Sequence, residues 1–106
     1  MSCSLVYVTV PGIEEARAIG RALVEARLAA SVNLLPGVAS VYWWEGRVRD
    51  GEEALLIAKT RSDLTDEVIA AVRARHSYVC PCVVALPIEA GNPDYLDWIA
   101  AETGPR

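Results

Sequence analysis

The sequence predicts an α+β fold of the ferredoxin-like type, in which the elements follow the order βαββαβ and a further helix is added at the C-terminus. Two observations lead to this fold class. Segments with alternating apolar residues are followed by segments in which apolar residues recur every three or four positions, and these periods are typical of strands and helices respectively. The whole chain, 1–106, fits one domain, because a domain takes roughly 100–200 residues.

The opening third of the chain predicts a strand and a helix. Residues 5–10 (LVYVTV) are β-branched, aromatic or apolar, which favours a strand, and one of its faces would carry Val6, Val8 and Val10. Pro11-Gly12 ends the strand. Residues 13–28 predict a helix, whose apolar stripe consists of Ala16, Ile19, Leu23 and Ala26.

A pair of strands should follow this helix. Residues 30–35 predict a second strand that Pro36-Gly37 interrupts, and residues 38–49 continue in extended form. Asp50-Gly51 predicts the hairpin turn, because a tight two-residue turn favours Asn, Asp and Gly. Residues 53–60 (EALLIAKT) then return as a strand whose middle is apolar on both faces, as expected for a strand that is covered on both sides.

The last three elements are a helix, a strand and a short helix. Residues 62–76 predict the helix and residues 83–88 the strand. The run Asn-Pro-Asp at 92–94 predicts a helix over 94–102, because Asn favours the N-cap and Pro the first helical position. This order places helices on one face of an antiparallel sheet. The other face is expected to meet another subunit.

The composition indicates a folded protein that associates with itself. Hydrophobic residues make up 53% of the chain and charged residues 23%, and the mean hydropathy is +0.25. A domain of this size buries only about two-thirds of its surface, so we expect part of the apolar excess to lie between subunits. This content excludes intrinsic disorder. The formal net charge of −4 argues against a nucleic-acid partner, because phosphate binding needs a basic surface.

The sequence predicts a cytoplasmic protein without a membrane partner. The first residues show no basic segment followed by an apolar run, so no signal peptide is predicted. Residues 28–44 carry no charge, but a membrane-spanning helix takes about 20 residues and this segment includes Pro36-Gly37. Three cysteines do not complete a disulfide framework, which favours the reducing intracellular compartment: Cys3, Cys80 and Cys82.

The segment 76–82 (HSYVCPC) is the candidate for metal binding. In an extended chain, residues two apart lie on one side, with Cα atoms about 6.6 Å apart. Two thiolates and a nearby histidine suit a soft metal such as Cu(I) or Zn(II), which makes His76, Cys80 and Cys82 candidate ligands. The alternative is structural. The two cysteines would then pack as small apolar residues, and His76 would place positive charge at a helix end.

The candidate for a subunit interface is a dense aromatic run, Tyr42, Trp43 and Trp44, because aromatic residues are enriched at interface centres. Trp43 and Trp44 must face opposite sides of a strand, so the alternative is one core tryptophan and one partly exposed tryptophan. Lys59 ends an apolar strand. The sequence leaves open whether it extends into solvent or pairs with a glutamate, Glu45 or Glu89.

Several segments together resemble the CutA family of divalent-cation tolerance proteins. They are the run YVTVPGIEEARAIGRALVEARLAASVNLLPGVASVYWWEGRV, then LLIAKTRS, the His-x-Tyr-x-x-Pro motif at His76, and ALPIEAGNPDYLDWI. They occur in the family's order and cover residues 5–103. The resemblance implies a ferredoxin-like subunit in a stable homotrimer, usually cytoplasmic, that contributes to metal tolerance and has no established reaction.

The sequence departs from the family at the positions linked to metal. A cysteine that is typical of members is replaced here by Ser31. The copper ligands proposed for some bacterial members, a first-strand cysteine and two adjacent histidines, correspond here to Val8, Arg75 and His76, so only His76 is retained. The family's frequent HPYExPE pattern reads HSYVCPC here, which removes both acids and adds two thiols. The oxygen-rich site is therefore either lost or replaced by a softer thiolate site.

Three functional hypotheses follow. The first is a homotrimer that binds copper or another metal ion through His76, Cys80 and Cys82, with no obligatory cofactor. The second is a PII-like module that binds a small ligand in clefts between subunits, lined by Glu45, Lys59, Tyr78, Tyr95 and Trp98. The third is a structural scaffold. The sequence contains no phosphate-binding glycine loop and no recognisable catalytic set, and we expect the protein not to be an enzyme.

Overall fold

The computed structural model describes residues 2–105. The elements are β1 (Cys3–Val10), α1 (Ile13–Glu25), β2 (Ser31–Trp44), β3 (Arg47–Arg61), α2 (Thr65–Arg75), β4 (Val83–Pro87) and α3 (Pro93–Glu102), with a 3₁₀ turn at Ser62–Leu64 before α2. The strands form one four-stranded sheet in the order β2-β3-β1-β4. All neighbouring strands are antiparallel. The predicted ferredoxin-like arrangement with an added C-terminal helix is confirmed.

The hydrophobic core lies between one face of the sheet, the helix face, and helices α1 and α2. Alternate residues of the two central strands are fully buried in it: Val6, Val8, Val10, Ala54, Leu56 and Ala58. Ile19 of α1 and Val68 of α2 cover them. A Cβ at Gly20 would lie 2.8 Å from Cγ2 of Val32, so this glycine allows α1 to pack closely against β2. The three valines predicted to share one face of β1 thus lie on the side of the strand that faces the helices.

The opposite sheet face, the open face, is only partly covered. Tyr7 of β1 lies on it, beside Ile57 of β3 and Val84 of β4, and Val84 is 51% exposed. Helix α3 covers one end of this face. The Cys3 thiol donates to the Leu96 carbonyl oxygen at 3.7 Å. Two helices therefore lie on the helix face and the third lies on the other side of the sheet.

The hairpin turn between β2 and β3 is formed by Glu45 and Gly46. Both residues have positive φ, 52° and 76°, and Trp44 pairs with Arg47 across them, which is the pattern of a type I′ turn. The prediction of a turn at Asp50-Gly51 is wrong, because these residues lie within β3 opposite Val41 and Ser40. The true turn has Glu instead of Asn or Asp at its first position, so its sequence signal is weaker than that of Asp50-Gly51.

Strand β2 runs through Pro36-Gly37 instead of ending there. The register shifts between Leu35 and Val38, and Gly37 takes the left-handed conformation (φ 70°) that such a bulge favours. The predicted interruption is therefore a bulge within one strand. Beyond it, residues 38–53 form a projecting hairpin, called the arm here. The molecule is consequently elongated, with extents of 44 × 25 × 22 Å.

The ends of the helices differ from the predicted ends by a few residues. Helix α1 ends at Glu25, before the predicted 28, because Arg27 turns the chain with φ 61°, and Ala26 is exposed instead of joining the apolar stripe. Helix α3 begins as predicted: the side-chain oxygen of Asn92 accepts a hydrogen bond from the backbone N–H of Asp94 at 3.2 Å. This bond satisfies one of the unpaired N–H groups at a helix start.

Candidate functional site

A groove of about 600 Å³ lies on the open face, between the arm and the segment 76–82 that follows α2. The sheet side is formed by residues of β1, β2 and β3, and the other side by residues of the segment. The lining residues are Thr9, Ser40, Tyr42, Trp44, Glu53, Ser77, Tyr78, Val79, Cys80 and Cys82. The groove thus combines aromatic rings, hydroxyl groups, two thiols and one carboxylate.

Strand alternation divides the predicted aromatic interface between two surfaces. Tyr42 and Trp44 line the groove and are 44% and 43% exposed. Trp43 points to the opposite side of the arm and is 75% exposed, beside the exposed residues Val41 and Val48. The two tryptophans therefore face opposite sides as predicted, and neither belongs to the core. The assignment of Tyr42, Trp43 and Trp44 to a trimer interface stays a prediction.

His76 fixes the start of the segment. Its side chain is fully buried, 3.7 Å from a carboxylate oxygen of Glu15. Nδ1 accepts a hydrogen bond from the backbone N–H of Tyr78 at 3.1 Å, and Nε2 lies 2.7 Å from the carbonyl oxygen of Thr9. A carbonyl oxygen only accepts, so Nε2 carries the ring hydrogen and donates it, and the ring in this arrangement is neutral.

Ser77 adds a second attachment. Its backbone N–H donates to Oε2 of Glu15 at 2.9 Å, and its hydroxyl donates to Oε1 at 2.8 Å. Glu15 lies in the first turn of α1. The segment is therefore held to β1 through His76 and to α1 through Ser77, and this positions the residues that follow at the groove.

Tyr78 closes the groove by reaching across to the arm. Its hydroxyl donates to Oε2 of Glu53 at 3.1 Å, and its ring packs against that of His76 with centroids 4.8 Å apart. Burial and the bond to Glu53 raise the pKa of Tyr78 to about 12. The phenol thus remains a protonated donor at neutral pH, and it directs one carboxylate oxygen of Glu53 toward the segment.

The two predicted thiol ligands line the groove, but His76 is not joined with them in a metal site. Cys80 and Cys82 are exposed and form no disulfide. Both ring nitrogens of His76 are occupied by hydrogen bonds. Across residues 2–105, no group of three or more His, Cys, Asp or Glu side chains is arranged to hold a metal ion. The predicted ligand set of His76, Cys80 and Cys82 stays a prediction.

The residues predicted to line a ligand cleft lie in three places, and only Tyr78 reaches the groove. Glu45 is at the tip of the arm, where it pairs with Arg49 at 3.1 Å. The other three lie at the far end of the open face. Lys59 donates to the side-chain oxygen of Asn33, and the rings of Tyr95 and Trp98 pack together with centroids 5.5 Å apart.

Glu53, Ser40 and Ser77 also line the groove, although none of them was predicted as a site residue. Glu53 and Ser40 share the open face with Tyr42, and strand alternation counted from the true turn at Glu45-Gly46 would have grouped them. No sequence signal indicates that Ser77 would bond to Glu15, 62 residues away.

The chain matches a known protein family over nearly its whole length. The family model of the CutA1 divalent ion tolerance protein matches residues 4–102. The chain belongs to the CutA1 family. This confirms the family resemblance that the sequence motifs indicated. The match also associates the chain, at the level of the family, with tolerance of divalent metal ions.

Two relatives show what share of a CutA protein matches this chain. It is 48% identical over 100 residues to the divalent-cation tolerance protein CutA of Thermus thermophilus, covering 94% of this chain and 97% of that protein. It is also 48% identical over 99 residues to Protein CutA 1, chloroplastic, of Oryza sativa, covering 93% of this chain. The match spans 56% of the rice protein.

Solved structures of CutA1 relatives share the fold closely. CutA1 from Oryza sativa superposes with a TM-score of 0.95 at 45% identity, covering 98% of this chain and 95% of that chain. The periplasmic divalent cation tolerance protein CutA from Archaeoglobus fulgidus superposes with a TM-score of 0.91 at 44% identity, covering 94% of this chain and 97% of that chain.

The described residues contain no helix with the length and apolar character needed to cross a membrane. Because these two relatives are designated chloroplastic and periplasmic, the cytoplasmic location stays a prediction.

Proposed function

We propose that this chain contributes to divalent-cation tolerance as a non-catalytic homotrimer that binds a soft metal ion, Cu or Zn, through Cys80 and Cys82. The family supports metal tolerance in general. The observation that supports the thiolate site is that both thiols are exposed and line the same groove. The metal is bound and released as cargo, so no cofactor is obligatory for the fold.

The chemistry of the three cysteines favours this pair. A metal binds the thiolate form, and exposed thiols ionise more easily than buried ones. Burial raises the pKa of the Cys3 thiol, which makes Cys3 a poor ligand. Thiolates favour Cu(I) and Zn(II) over hard cations. His76 would add a third ligand only after giving up its bond to Thr9 or to Tyr78.

Metal titrations of matched variants test the thiolate site. Cu(I) affinity, measured against a chromophoric chelator, and Zn(II) affinity, measured by calorimetry, are expected to fall by about tenfold or more in Cys80→Ser/Cys82→Ser. Cys3→Ser is the control and should retain wild-type affinity. Equal affinity in the double variant would exclude the site. His76→Ala, measured in the same way, tests the predicted third ligand.

The trimer is supported by apolar surface on the arm and on the open face. Val41, Trp43 and Val48 are 70%, 75% and 55% exposed on one side of the arm. Contiguous exposed apolar patches of this kind commonly mark protein interfaces. Light scattering should give three times the chain mass of 11.5 kDa, and Trp43→Lys should lower it. A wild-type monomer at micromolar concentration would contradict the proposal.

A second candidate function, a PII-like module for a small organic ligand, is supported by the groove itself. Its volume of about 600 Å³ lies within the usual range of small-molecule sites, about 300–1,000 Å³, and three of its lining residues are aromatic. A thermal-shift panel of nucleotides, organic anions, organic cations and metals separates this candidate from metal binding. A panel in which only metals stabilise the protein would argue against it. A panel without any response would favour the scaffold hypothesis.

A further inference from the structure

The segment 76–82, which carries two of the thiols, is tied to the sheet at both of its ends. It lies between the end of α2 and the start of β4, so its shape is not set by a helix or a strand of its own. Thr9 of β1 binds both ends. Its carbonyl oxygen accepts from Nε2 of His76 at 2.7 Å, and its backbone N–H donates to the Cys82 carbonyl oxygen at 3.3 Å. The segment is therefore a loop whose first and last residues are held in place.

The carboxylate of Glu15 makes a third attachment, within the loop. Oε2 accepts from the backbone N–H of Ser77 at 2.9 Å, and Oε1 accepts from the Ser77 hydroxyl at 2.8 Å. Hydrogen bonds to an ionised acceptor are roughly twice as strong as neutral ones. The Glu15 side chain is only 27% exposed, which limits competition from water. Ser77 is thus held by two bonds three residues before Cys80.

These attachments do not depend on which surfaces the subunits bury. Each of them is a hydrogen bond already formed between two groups of one chain. Burial against another subunit would shield such a bond from water and would not replace it. Glu15 itself belongs to α1, which packs on the helix face of the sheet. The anchoring of the loop is therefore a property of the chain in any assembly.

We propose that Glu15 is a positioning residue for the thiolate metal site, because through Ser77 it holds the loop in the conformation that presents Cys80 and Cys82. This inference rests on the proposed metal-binding function and adds a residue that acts through Ser77 instead of binding the metal. A metal that binds two thiolates on a mobile loop must also order that loop, and this ordering lowers the affinity. A loop that is fixed beforehand avoids the loss.

Metal titrations of variants at Glu15 test the proposal. Glu15→Ala removes both bonds to Ser77, and the affinities of the full chain for Cu(I) and Zn(II) should fall by about fivefold. Glu15→Gln keeps an oxygen that accepts from Ser77 and an amide group that donates to its hydroxyl oxygen, so it should recover most of the wild-type affinity. Glu14→Ala is the matched control, because Glu14 is exposed in the same turn of α1 and its removal changes the net charge equally. This control should bind metal as the wild type does.

A double-mutant cycle with Ser77 shows whether Glu15 acts through this contact. Ser77→Ala removes the hydroxyl bond and keeps the backbone bond, so the affinity should fall by less than in Glu15→Ala. Adding Ser77→Ala to Glu15→Ala should lower the affinity no further, because the bond that it removes is already lost. Two unrelated losses of stability would add instead, and additive effects would contradict the proposal.

The outcomes separate this inference from the metal site itself. Wild-type affinity in Glu15→Ala, together with lost affinity in Cys80→Ser/Cys82→Ser, would overturn the positioning role and leave the thiolate site intact. Absence of metal binding by the wild-type chain would overturn both. Hydrogen exchange of the metal-free protein gives a direct measure of the loop: the amide hydrogens of residues 78–80 should exchange faster in Glu15→Ala than in the wild type or in Glu14→Ala. Equal exchange in all three would also overturn the positioning role.

Discussion

The hydroxyl of Tyr78 and the carboxylate of Glu53 lie 3.1 Å apart and join the segment 76–82 to the projecting arm. The two residues are 25 positions apart in the sequence, and their bond crosses the groove. Tyr78 is positioned by the hydrogen bond from its backbone N–H to His76. Glu53 is positioned by the register of β3 against β2. The groove is therefore a joint product of the helix-end segment and the hairpin.

The bond between Tyr78 and Glu53 should make Tyr78 ionise at a higher pH than an ordinary tyrosine. The pKa of Tyr78 is raised to about 12 because of burial and the bond to Glu53. A raised pKa means that the folded state holds the proton more tightly than the unfolded state. The stability that this bond contributes is therefore complete below pH 10 and declines as the pH rises toward 12. Absorbance at 295 nm should resolve a late phase among the four tyrosines, and Tyr78→Phe should abolish it. A late phase that persists in this variant would contradict the assignment.

His76 should matter more for stability than its exposed neighbour. His76→Ala removes both ring hydrogen bonds and leaves the Thr9 carbonyl oxygen without its donor, so the free energy of unfolding should fall by about 1–3 kcal/mol. Denaturant titrations measure this change. Arg75→Ala alters the preceding, exposed residue and should change stability by less than about 0.5 kcal/mol. A loss of unfolding free energy in His76→Ala as small as that expected for Arg75→Ala would mean that the buried hydrogen bonds of His76 contribute little.

Two glycines of the arm should respond oppositely to alanine. Gly46 has φ 76°, so Gly46→Ala places a Cβ in the left-handed region and should destabilise the protein by about 1–2 kcal/mol. Gly51 lies within β3, where a Cβ would make ordinary contact with the Tyr42 hydroxyl at 3.7 Å, so Gly51→Ala should be neutral or stabilising. Thermal unfolding measures both. The reverse order of effects would place the turn at Asp50-Gly51.

The three thiols should react in two classes. Cys80 and Cys82 are exposed and Cys3 is buried, so a chromogenic disulfide reagent should modify two thiols quickly and the third only in denaturant. Cu(I) or Zn(II) added first should protect the fast pair. Fast modification of both thiols in the presence of saturating metal would mean that the metal binds elsewhere. Cys80→Ser/Cys82→Ser is the control and should show no fast modification.

Local patterns in the sequence predicted the fold better than the site. The valines of β1 and the Asn-Pro start of α3 were predicted because alternation and capping act over a few residues. The turn was misplaced because Asp50-Gly51 fits a tight turn better than Glu45-Gly46 does. The register of a hairpin is counted from its turn. With the turn misplaced, the sequence did not indicate that Glu53 and Tyr42 lie on the same face of the hairpin.

The site contains contacts that local patterns do not encode. The residue types of the segment 76–82 suggested metal ligands, but the bond between His76 and Thr9 joins positions 67 residues apart. Which ring nitrogens are occupied depends on how β1 and the end of α2 meet in three dimensions. The sequence therefore identified Tyr78, Cys80 and Cys82 as candidates without indicating that His76 fixes the segment that carries them.

The projecting arm divides the molecule into two regions of unequal local stability. Its backbone is paired within the hairpin, but none of the helices described within residues 2–105 covers its side facing away from the groove, and Val41 and Trp43 are largely exposed in the single chain. Amide hydrogens in such regions exchange through local opening, at a smaller free energy than the core requires. An occupant of the groove would contact both the arm and the segment 76–82. Binding should therefore appear as slower hydrogen exchange along residues 38–53, even where the ligand touches no backbone amide.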